Sequence, residues 1–369
     1  MTELEKLYKG KNSVSSRWAR LGPYYAMFPI DFAFNVVNKY SNPGDKVLDP
    51  FSGRGSSIFS SAILGRTGTG IEINPLGWLY SSVKLNPASQ NKVVKRLDEI
   101  YELRNNYKEE LYSDSEFFRI CYCDEVLLFL HSARENLKWK KNKTDGTLMS
   151  FILIYLHAAI GEGLSNQMKM TKALGIQYSI DWCKKKGLTE PPNINPKELI
   201  LKKIGWRYKF GTPKNNGSTV KLADSCNFTK KMIVNNNSNY SLLFTSPPYC
   251  AVTDYFADQW LRLWLLGGTP FPKYNQGLHK GRFSNQEDYY NLLDTVFGNC
   301  SKLLNKKNVV YVRTDCRDFT LNTTKEILRK HFPFHRMEII EQPIEKKTQT
   351  EVLGNKSSKK GEVDIILTV

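Results

Sequence analysis

The sequence predicts an α/β fold of the Rossmann-like, doubly wound type, in which helices cover both faces of a mostly parallel sheet. Short apolar runs alternate along the chain with longer segments of helical spacing. Several of these runs are continuously apolar, which is typical of strands that are buried on both faces. One run ends at Asp49 and leads into a Gly-x-Gly turn at Gly53 and Gly55, as the first strand of a nucleotide-binding unit does.

Strand patterns and helical patterns follow one another in the order that a parallel sheet requires. The predicted strands are residues 46–49, 67–73, 219–223, 242–245, 309–314, 337–341 and 363–369. The predicted helices are residues 30–39, 56–64, 90–108, 285–304 and 323–330. This alternation favours βα units joined by crossovers rather than hairpins.

A long insertion separates the second and third predicted strands. It covers residues 86–216, which is far more than an ordinary βα connection requires. Apolar positions recur at helical spacing in residues 125–136, 147–160 and 174–186, so the insertion is predicted to be largely helical. We therefore expect one domain built from residues 1–85 and 217–369, interrupted by a helical insertion.

The first motif is the segment Asp49-Pro-Phe-Ser-Gly-Arg-Gly55, directly after an apolar strand. Its glycines allow a ligand to approach the backbone closely. A second strand ends in Glu72, which lies 23 residues after Asp49. That offset is close to the ~20 residues that separate the turn from a ribose-binding acid in βαβ units. Any Rossmann-like nucleotide site remains an alternative, although a single Gly-x-Gly argues against a nicotinamide or flavin cofactor.

The second motif is Thr245-Ser-Pro-Pro-Tyr249, after the apolar run Leu242-Leu-Phe244. A Ser hydroxyl and the carbonyl of the first Pro can accept hydrogen bonds from an exocyclic amine, while two prolines fix φ and remove competing N–H donors. The aromatic ring at the end can stack on a nucleobase that has left its helix. An ordinary strand-to-loop exit is the structural alternative for this segment alone.

Taken together, the two motifs resemble those of amino-methylating DNA methyltransferases, which form N4-methylcytosine or N6-methyladenine from S-adenosylmethionine. The resemblance implies a seven-stranded sheet with an antiparallel last strand. It also implies that Ser246, Pro247, Pro248 and Tyr249 form the catalytic loop. The residues expected to bind S-adenosylmethionine are Phe28, Pro29, Asp49, Phe51, Ser52, Gly53, Gly55, Glu72, Asn74, Asp224 and Ser225.

The expected roles follow from where these residues stand in the family motifs. Asp49 and the glycine turn would flank the methionyl part of the cofactor, and Glu72 the ribose hydroxyls. Asp224, in the turn Ala223-Asp-Ser225, would hold the adenine amine. Tyr24-Tyr-Ala-Met-Phe-Pro29 is similar to the segment that covers the methionine end.

Ser rather than Asp at the first catalytic position, Ser246, favours cytosine N4 as the methylated atom. N6-adenine methylation is the alternative, and a guanine-N2 tRNA methyltransferase or a non-catalytic DNA-binding subunit is less favoured. Methylation at cytosine C5 needs a Cys nucleophile, normally in a Pro-Cys pair, and Cys250 follows Tyr249 instead. The family also implies a restriction-modification setting with a companion restriction endonuclease.

The charge of the chain agrees with a nucleic-acid partner. Lys and Arg number 53 against 36 Asp and Glu, a formal net charge of +17. Such a surplus favours a polyanion through counterion release and steering.

The longest apolar stretch, residues 149–160, is too short to span a bilayer. Seven cysteines without framework spacing, together with an N-terminus that lacks the pattern of a signal peptide, predict a cytoplasmic location. No metal site is predicted, and the pair Cys121 and Cys123 is interpreted as structural.

Two basic segments are candidate DNA contacts. Residues 202–209 interleave Lys, Arg and aromatic side chains near the end of the insertion, which suits phosphate contacts and base stacking and makes the insertion a candidate target-recognition region. Residues 345–361 form a lysine-rich loop before the last strand. The side chains assigned to DNA binding are Lys202, Lys203, Trp206, Arg207, Lys346, Lys347, Lys359 and Lys360.

Overall fold

The computed structural model describes residues 1–24, 28–158, 161–165, 175–251, 255–273, 285–342 and 361–369. Within these ranges the seven predicted strands are all present. They are β1 (Lys46–Asp49), β2 (Thr67–Glu72), β3 (Thr219–Leu222), β4 (Tyr240–Thr245), β5 (Leu304–Asp315), β6 (Arg336–Gln342) and β7 (Glu362–Thr368).

The strands form a single sheet in the order β3-β2-β1-β4-β5-β7-β6. The pairs from β3 to β5 are parallel, whereas β7 runs antiparallel to both β5 and β6. The sheet is therefore the doubly wound, seven-stranded sheet with an antiparallel last strand that the resemblance implied. The strand order reverses between β1 and β4, which is where ligands bind in open α/β sheets.

Sixteen α-helices surround this sheet in the described part of the chain. They are α1 (Glu3–Tyr8), α2 (Val14–Ala19), α3 (Ile30–Tyr40), α4 (Ser56–Ile63), α5 (Pro75–Leu85), α6 (Gln90–Glu102), α7 (Glu116–Cys121), α8 (Asp124–Asn136), α9 (Lys143–Tyr155), α10 (Ile176–Lys185), α11 (Pro196–Tyr208), α12 (Ser225–Val234), α13 (Tyr255–Asp258), α14 (Trp260–Leu265), α15 (Gln286–Ser301) and α16 (Asp318–His331).

The central strands place alternate side chains against opposite helical layers. Val47 of β1 and Leu242 of β4 pack in one apolar cluster with α3, whereas Leu48 and Leu243 pack in another with α15 and α16. All four of these side chains are fully buried. This explains the continuously apolar sequences of the two strands, because a sheet covered on both faces has no solvent side.

The insertion is largely helical, as predicted, and contains α6 to α11 with two short 3₁₀ helices. Its apolar side chains share one cluster with α2, α4, α5 and α14. Trp260 and Trp264 of α14 lie in this cluster against Phe118, so the aromatic residues that follow the catalytic motif belong to the core. None of the described helices is long and apolar enough to cross a membrane.

Candidate active site

The functional motifs meet at one edge of the sheet. Asp49 ends β1, Glu72 ends β2, Asp224 follows β3 and Ser246 follows β4. Because these four strands are parallel neighbours, their carboxyl ends lie side by side. The chain folds so that two motifs 196 positions apart, at Asp49 and Thr245, touch directly.

The turn after β1 depends on two glycines with left-handed backbone conformations. Gly53 has φ +52° and Gly55 has φ +70°, which side chains other than glycine rarely adopt. Gly55 also caps the N-terminus of α4, and a Cβ placed on it would lie 2.7 Å from the Ser81 hydroxyl oxygen. The turn therefore requires glycine for packing as well as for conformation, and it leaves the backbone open to a ligand.

Asp49 connects the two motifs through its carboxylate. Its Oδ1 accepts hydrogen bonds from the Thr245 hydroxyl at 2.7 Å and the Phe51 amide at 3.1 Å, and its Oδ2 accepts one from the Ser57 hydroxyl. Burial raises the pKa of Asp49 to about 6, although these hydrogen bonds act in the opposite direction. The described contacts give Asp49 a positioning role, and its predicted contact with the methionyl part of the cofactor stays a prediction.

Glu72 and Asn74 supply polar groups beside the glycine turn. Glu72 is 8% exposed, and its Oε1 accepts a hydrogen bond from the Asn74 amide at 2.7 Å. Burial raises the pKa of Glu72 to about 7, and the charge of Asp49 adds to this effect. Asn74 caps α5 through its Oδ1, while its buried Nδ2 has no hydrogen-bond partner in the described structure. A buried donor without a partner, beside a raised carboxyl pKa, fits a site that a polar ligand completes.

The turn after β3 brings Asp224 to the same edge. The Ala223 amide donates to the Glu72 carbonyl at 3.0 Å, which holds this turn against the end of β2. Asp224 caps α12 through a 3.1 Å hydrogen bond from the Asn227 amide. Ser225 is buried and its hydroxyl donates to the Pro50 carbonyl, so it fixes the turn to the exit of β1. Ser225 is thus placed to position the site, and Asp224 is half-buried at its rim.

The segment before α3 lies over the glycine turn, as the motif predicted. Tyr24 is 3% exposed, and a Cβ on Gly53 would lie 3.8 Å from its ring. Phe28 stacks on Phe244 of β4 with ring centroids 4.6 Å apart. Pro29 is exposed and precedes the first turn of α3. Residues 25–27 of this segment lie outside the described ranges.

The catalytic loop leaves β4 at Ser246. Pro247 and Pro248 are buried, whereas Ser246 and Tyr249 are half-buried at the edge of the sheet. The Tyr249 hydroxyl donates to Glu362 Oε1 at 3.2 Å. Burial raises the pKa of Tyr249 well above its usual value, and a hydrogen bond from Ser246 partly opposes this. Tyr249 therefore remains a neutral donor whose hydroxyl lies between Ser246 and Glu362.

Two arginines that the motif analysis missed hold this loop. Arg313 of β5 donates to both carboxylate oxygens of Asp364 at 2.7 and 2.8 Å, and to Glu362 Oε2 at 3.1 Å. Arg317 donates to the Cys250 carbonyl at 2.6 Å, just after the loop. The sequence signal for the contact between Arg313 and Asp364 was a charged residue within each of the apolar runs that form β5 and β7. Opposite charges on neighbouring buried strands pair with each other.

Comparison with known proteins agrees with this geometry. A family model described as "DNA methylase" matches residues 3–76, which contain α1 to α4 and the glycine turn. The type II methyltransferase M.MthZI of Methanothermobacter thermautotrophicus is 29% identical over 121 residues, 32% of this chain and 34% of the relative. M.MvaI of Kocuria varians, also a type II methyltransferase, is 24% identical over 231 residues, 55% of this chain and 46% of the relative. These matches support the resemblance to amino-methylating DNA methyltransferases that the two motifs predicted.

This chain thus spans about a third of the length of M.MthZI and less than half of the length of M.MvaI. Among solved structures, an rRNA methyltransferase from Streptomyces viridochromogenes aligns with 98% of this chain and 96% of its own, at 12% identity and a TM-score of 0.34. The similarity to DNA methylases agrees with S-adenosylmethionine as the predicted methyl donor.

The structure corrects one predicted DNA contact of this chain. Arg207 of α11 is only 3% exposed, and its Nη1 donates to the Arg17 carbonyl in α2. A guanidinium buried between two helices is not available to a phosphate on the surface, so Arg207 is not a surface DNA contact. The basic pattern was misleading because α11 turns this side chain inward while Lys202 on the same helix is exposed.

The other residues of the basic segment lie nearer the surface. Lys202 is exposed, and Lys203 pairs with Glu162 at 2.9 Å. Trp206 is half-buried, and the Arg17 guanidinium lies 4.3 Å from its ring centroid. Their role in DNA binding stays a prediction. The predicted contacts Lys346, Lys347, Lys359 and Lys360 lie outside the described residues.

Proposed function

We propose that this chain is a DNA methyltransferase that transfers a methyl group from S-adenosylmethionine to the exocyclic N4 amine of cytosine. The observation that supports this most directly is the 2.7 Å hydrogen bond between Thr245 and Asp49. It joins the start of the catalytic loop to the glycine turn at the point where the strand order reverses. A methyl donor on the turn and an acceptor amine on the loop would therefore be neighbours.

The residues at the ends of β1 to β3 fit the cofactor. S-adenosylmethionine supplies an electrophilic methyl group on a sulfonium centre. The Glu72 carboxylate accepts hydrogen bonds from the ribose hydroxyls, and Asn74 Nδ2 provides the buried donor that has no partner among the described residues. Asp224, at the rim of the site, accepts a hydrogen bond from the adenine amine. The half-buried backbone of Gly53, which has no side chain, allows the methionyl part to lie close to the turn.

The catalytic loop orients the amine that is methylated. An exocyclic amine has its lone pair delocalised into the base, so it becomes a nucleophile only as nitrogen moves toward tetrahedral geometry. The Ser246 hydroxyl oxygen and the Pro247 carbonyl accept hydrogen bonds from its two N–H groups and favour that geometry. Neither proline has an N–H that competes for these acceptors.

Tyr249 holds the flipped base by stacking. Its hydroxyl is fixed by Glu362, and Glu362 is in turn paired with Arg313. This chain of contacts orients the ring without occupying its face, which suits a base that stacks on it.

Cytosine is proposed over adenine because the first catalytic position holds Ser246. The deciding experiment methylates unmodified DNA with isotopically labelled S-adenosylmethionine, digests it to nucleosides and identifies the product by mass spectrometry. Labelled N4-methylcytosine supports the proposal, and labelled N6-methyladenine would assign the enzyme to the alternative. Ser246→Ala, carried through the same protocol, controls for contaminating methyltransferases from the expression host.

DNA is the proposed partner, with a companion restriction endonuclease that recognises the same sequence. The helical insertion, residues 86–216, is proposed to contribute to target recognition, with Lys202 on its exposed surface. The cytoplasm is the proposed location, which agrees with seven cysteines that form no disulfide among the described residues.

A further inference from the structure

A group of buried cations lies where the helical insertion meets the sheet domain. The side chains come from α2 and its C-terminal end, the glycine turn, α5 and α11. They are Arg17, Arg20, Arg54, Lys84 and Arg207. Lys84 is completely buried, Arg207 is 3% exposed, and Arg17 and Arg54 are each 5% exposed, whereas Arg20 is half-buried. We call this group the junction cluster.

No carboxylate among the described residues pairs with any cation of the junction cluster. The cations donate hydrogen bonds to backbone carbonyls instead. Arg17 donates to the carbonyls of Lys11 and Trp206, and Arg20 to those of Ser16 and Tyr8. Arg54 donates to the Gly22 carbonyl, Lys84 to the Arg54 carbonyl, and Arg207 to the Arg17 carbonyl. The Tyr155 hydroxyl also contacts Arg207. The Nε groups of Arg54 and Arg207 are buried and make no hydrogen bond within the described structure.

The cations are close enough to repel one another. Burial, together with the charges of Arg20 and Arg207, lowers the pKa of Arg54 to about 10. Burial also lowers the pKa of Lys84, with added repulsion from Arg54 and Arg207. Even so, a pKa near 10 leaves the Arg54 guanidinium protonated at neutral pH. Buried charges in proteins are otherwise paired, because an isolated ion in a low-dielectric interior is strongly unfavourable.

We propose that the junction cluster binds a phosphate oxyanion. Guanidinium groups donate in a planar fork that matches phosphate, and the two buried Nε groups without partners supply donors for it. The methionyl end of S-adenosylmethionine is a poor counter-ion here, because its carboxylate stands beside an ammonium group. The anion is a small free phosphate, because side chains as buried as those of Lys84 and Arg207 are out of reach of a phosphate on a DNA surface. It ties α2, α5 and α11 together and fixes the insertion on the sheet domain.

Thermal unfolding of the full chain in inorganic phosphate tests this directly. Potassium phosphate is titrated against potassium chloride at equal ionic strength, so that screening is the same in both series. We expect wild type to gain about 3 °C in Tm at a phosphate concentration roughly 100 times Kd. A parallel series replaces phosphate with a short DNA duplex, which distinguishes a backbone phosphate from the free ion, and a third uses S-adenosylmethionine alone.

Lys84→Met separates anion binding from simple packing. The substitution keeps most of the side-chain volume but removes one buried charge. We therefore expect it to raise Tm without phosphate and to abolish most of the phosphate-dependent increase. Arg207→Gln is the second variant, with the same loss of the phosphate effect expected, and Lys95→Met on the exposed surface of α6 is the matched control. Line broadening in phosphorus-31 NMR, present for wild type and weakened in both cluster variants, reports binding independently of stability.

Three results would overturn the proposal. The first is a wild-type Tm that does not respond to phosphate beyond the chloride series, with no broadening of the phosphate signal, whether or not it responds to the duplex. The second is a cluster variant that retains the full phosphate effect. A response of wild type to S-adenosylmethionine alone, lost in Lys84→Met, would likewise reject a phosphate site and assign the cluster to the cofactor. None of these measurements depends on methyl transfer, so they leave the proposed activity untouched.

Discussion

The pKa of Glu72 leads to a quantitative prediction for cofactor binding. Burial raises this pKa to about 7, so the carboxyl group changes its charge within the range where affinity is easily measured. Only the carboxylate accepts hydrogen bonds from both ribose hydroxyls, whereas the neutral acid carries a competing proton. Affinity for S-adenosylmethionine should therefore rise with pH through about 7 and level off above about 8.

The size of the effect follows from the fraction of Glu72 that is ionised. With a pKa of about 7, that fraction is roughly 9% at pH 6 and 91% at pH 8, so Kd should fall about tenfold between them. Glu72→Gln keeps the side-chain size and the Oε1 acceptor for the Asn74 amide. We expect its Kd to change by less than about twofold over the same range, since only Asp49, with a pKa of about 6, titrates nearby. At pH 8 the variant should bind roughly ten- to a hundredfold more weakly than wild type.

Isothermal titration calorimetry at pH 6, 7 and 8, at constant ionic strength, measures these affinities. Any titration of the cofactor itself appears equally in wild type and variant, so the comparison isolates Glu72. Glu287→Gln, an exposed carboxylate at the start of α15, controls for a general change in charge. Parallel pH profiles for wild type and Glu72→Gln would refute the assignment of Glu72 to the ribose.

Three further predictions concern the loop and the DNA surface. Ser246→Ala should lower kcat about ten- to a hundredfold with little change in DNA or cofactor affinity, because its hydrogen bond strengthens as nitrogen rehybridises. Tyr249→Ala should weaken productive DNA binding as well as turnover, since stacking is worth ~1–3 kcal/mol per base. Tyr249→Phe and Glu362→Gln should each lower turnover only roughly three- to tenfold, because the ring face remains. Replacing Lys202 and Lys203 by Ala should reduce the salt slope of DNA binding by one to two units, at ~0.9 per lost phosphate contact.

Each of these predictions has a control within the same chain. For the loop, single-turnover kinetics of Glu362→Gln in the Tyr249→Phe background should show little added loss, because both changes act on the same hydrogen bond between Tyr249 and Glu362. A double variant that loses the sum of the two single effects would contradict that linkage, and unimpaired chemistry in Ser246→Ala would contradict its catalytic role.

For DNA binding, the Lys95→Ala variant should keep the wild-type salt slope. If the Lys202 and Lys203 double variant keeps it too, the insertion does not contact DNA there.

The alternation of strands with helices and the two motifs could be predicted because they depend on local sequence, whereas the antiparallel last strand was implied by the resemblance alone. Residues 47–48 and 242–244 are apolar and buried, and burial on both faces selects such runs for a parallel sheet. Gly53 and Gly55 were recognisable because few other residues adopt their positive φ. The carboxyl ends of the strands then had to meet at one edge, whatever the helices between them looked like.

The contacts that span the chain could not be predicted, because a side chain's partner depends on how distant elements pack. The sequence determined a doubly wound sheet with a glycine turn and a Ser-Pro-Pro-Tyr loop, since each is encoded by a few adjacent residues. Only the tertiary structure decided that Thr245 bonds to Asp49, that Glu362 fixes Tyr249, and that Arg207 points inward. The basic pattern around Arg207 looked like a surface because charge alone predicts exposure. Packing of α11 against α2 instead buries that charge among other cations.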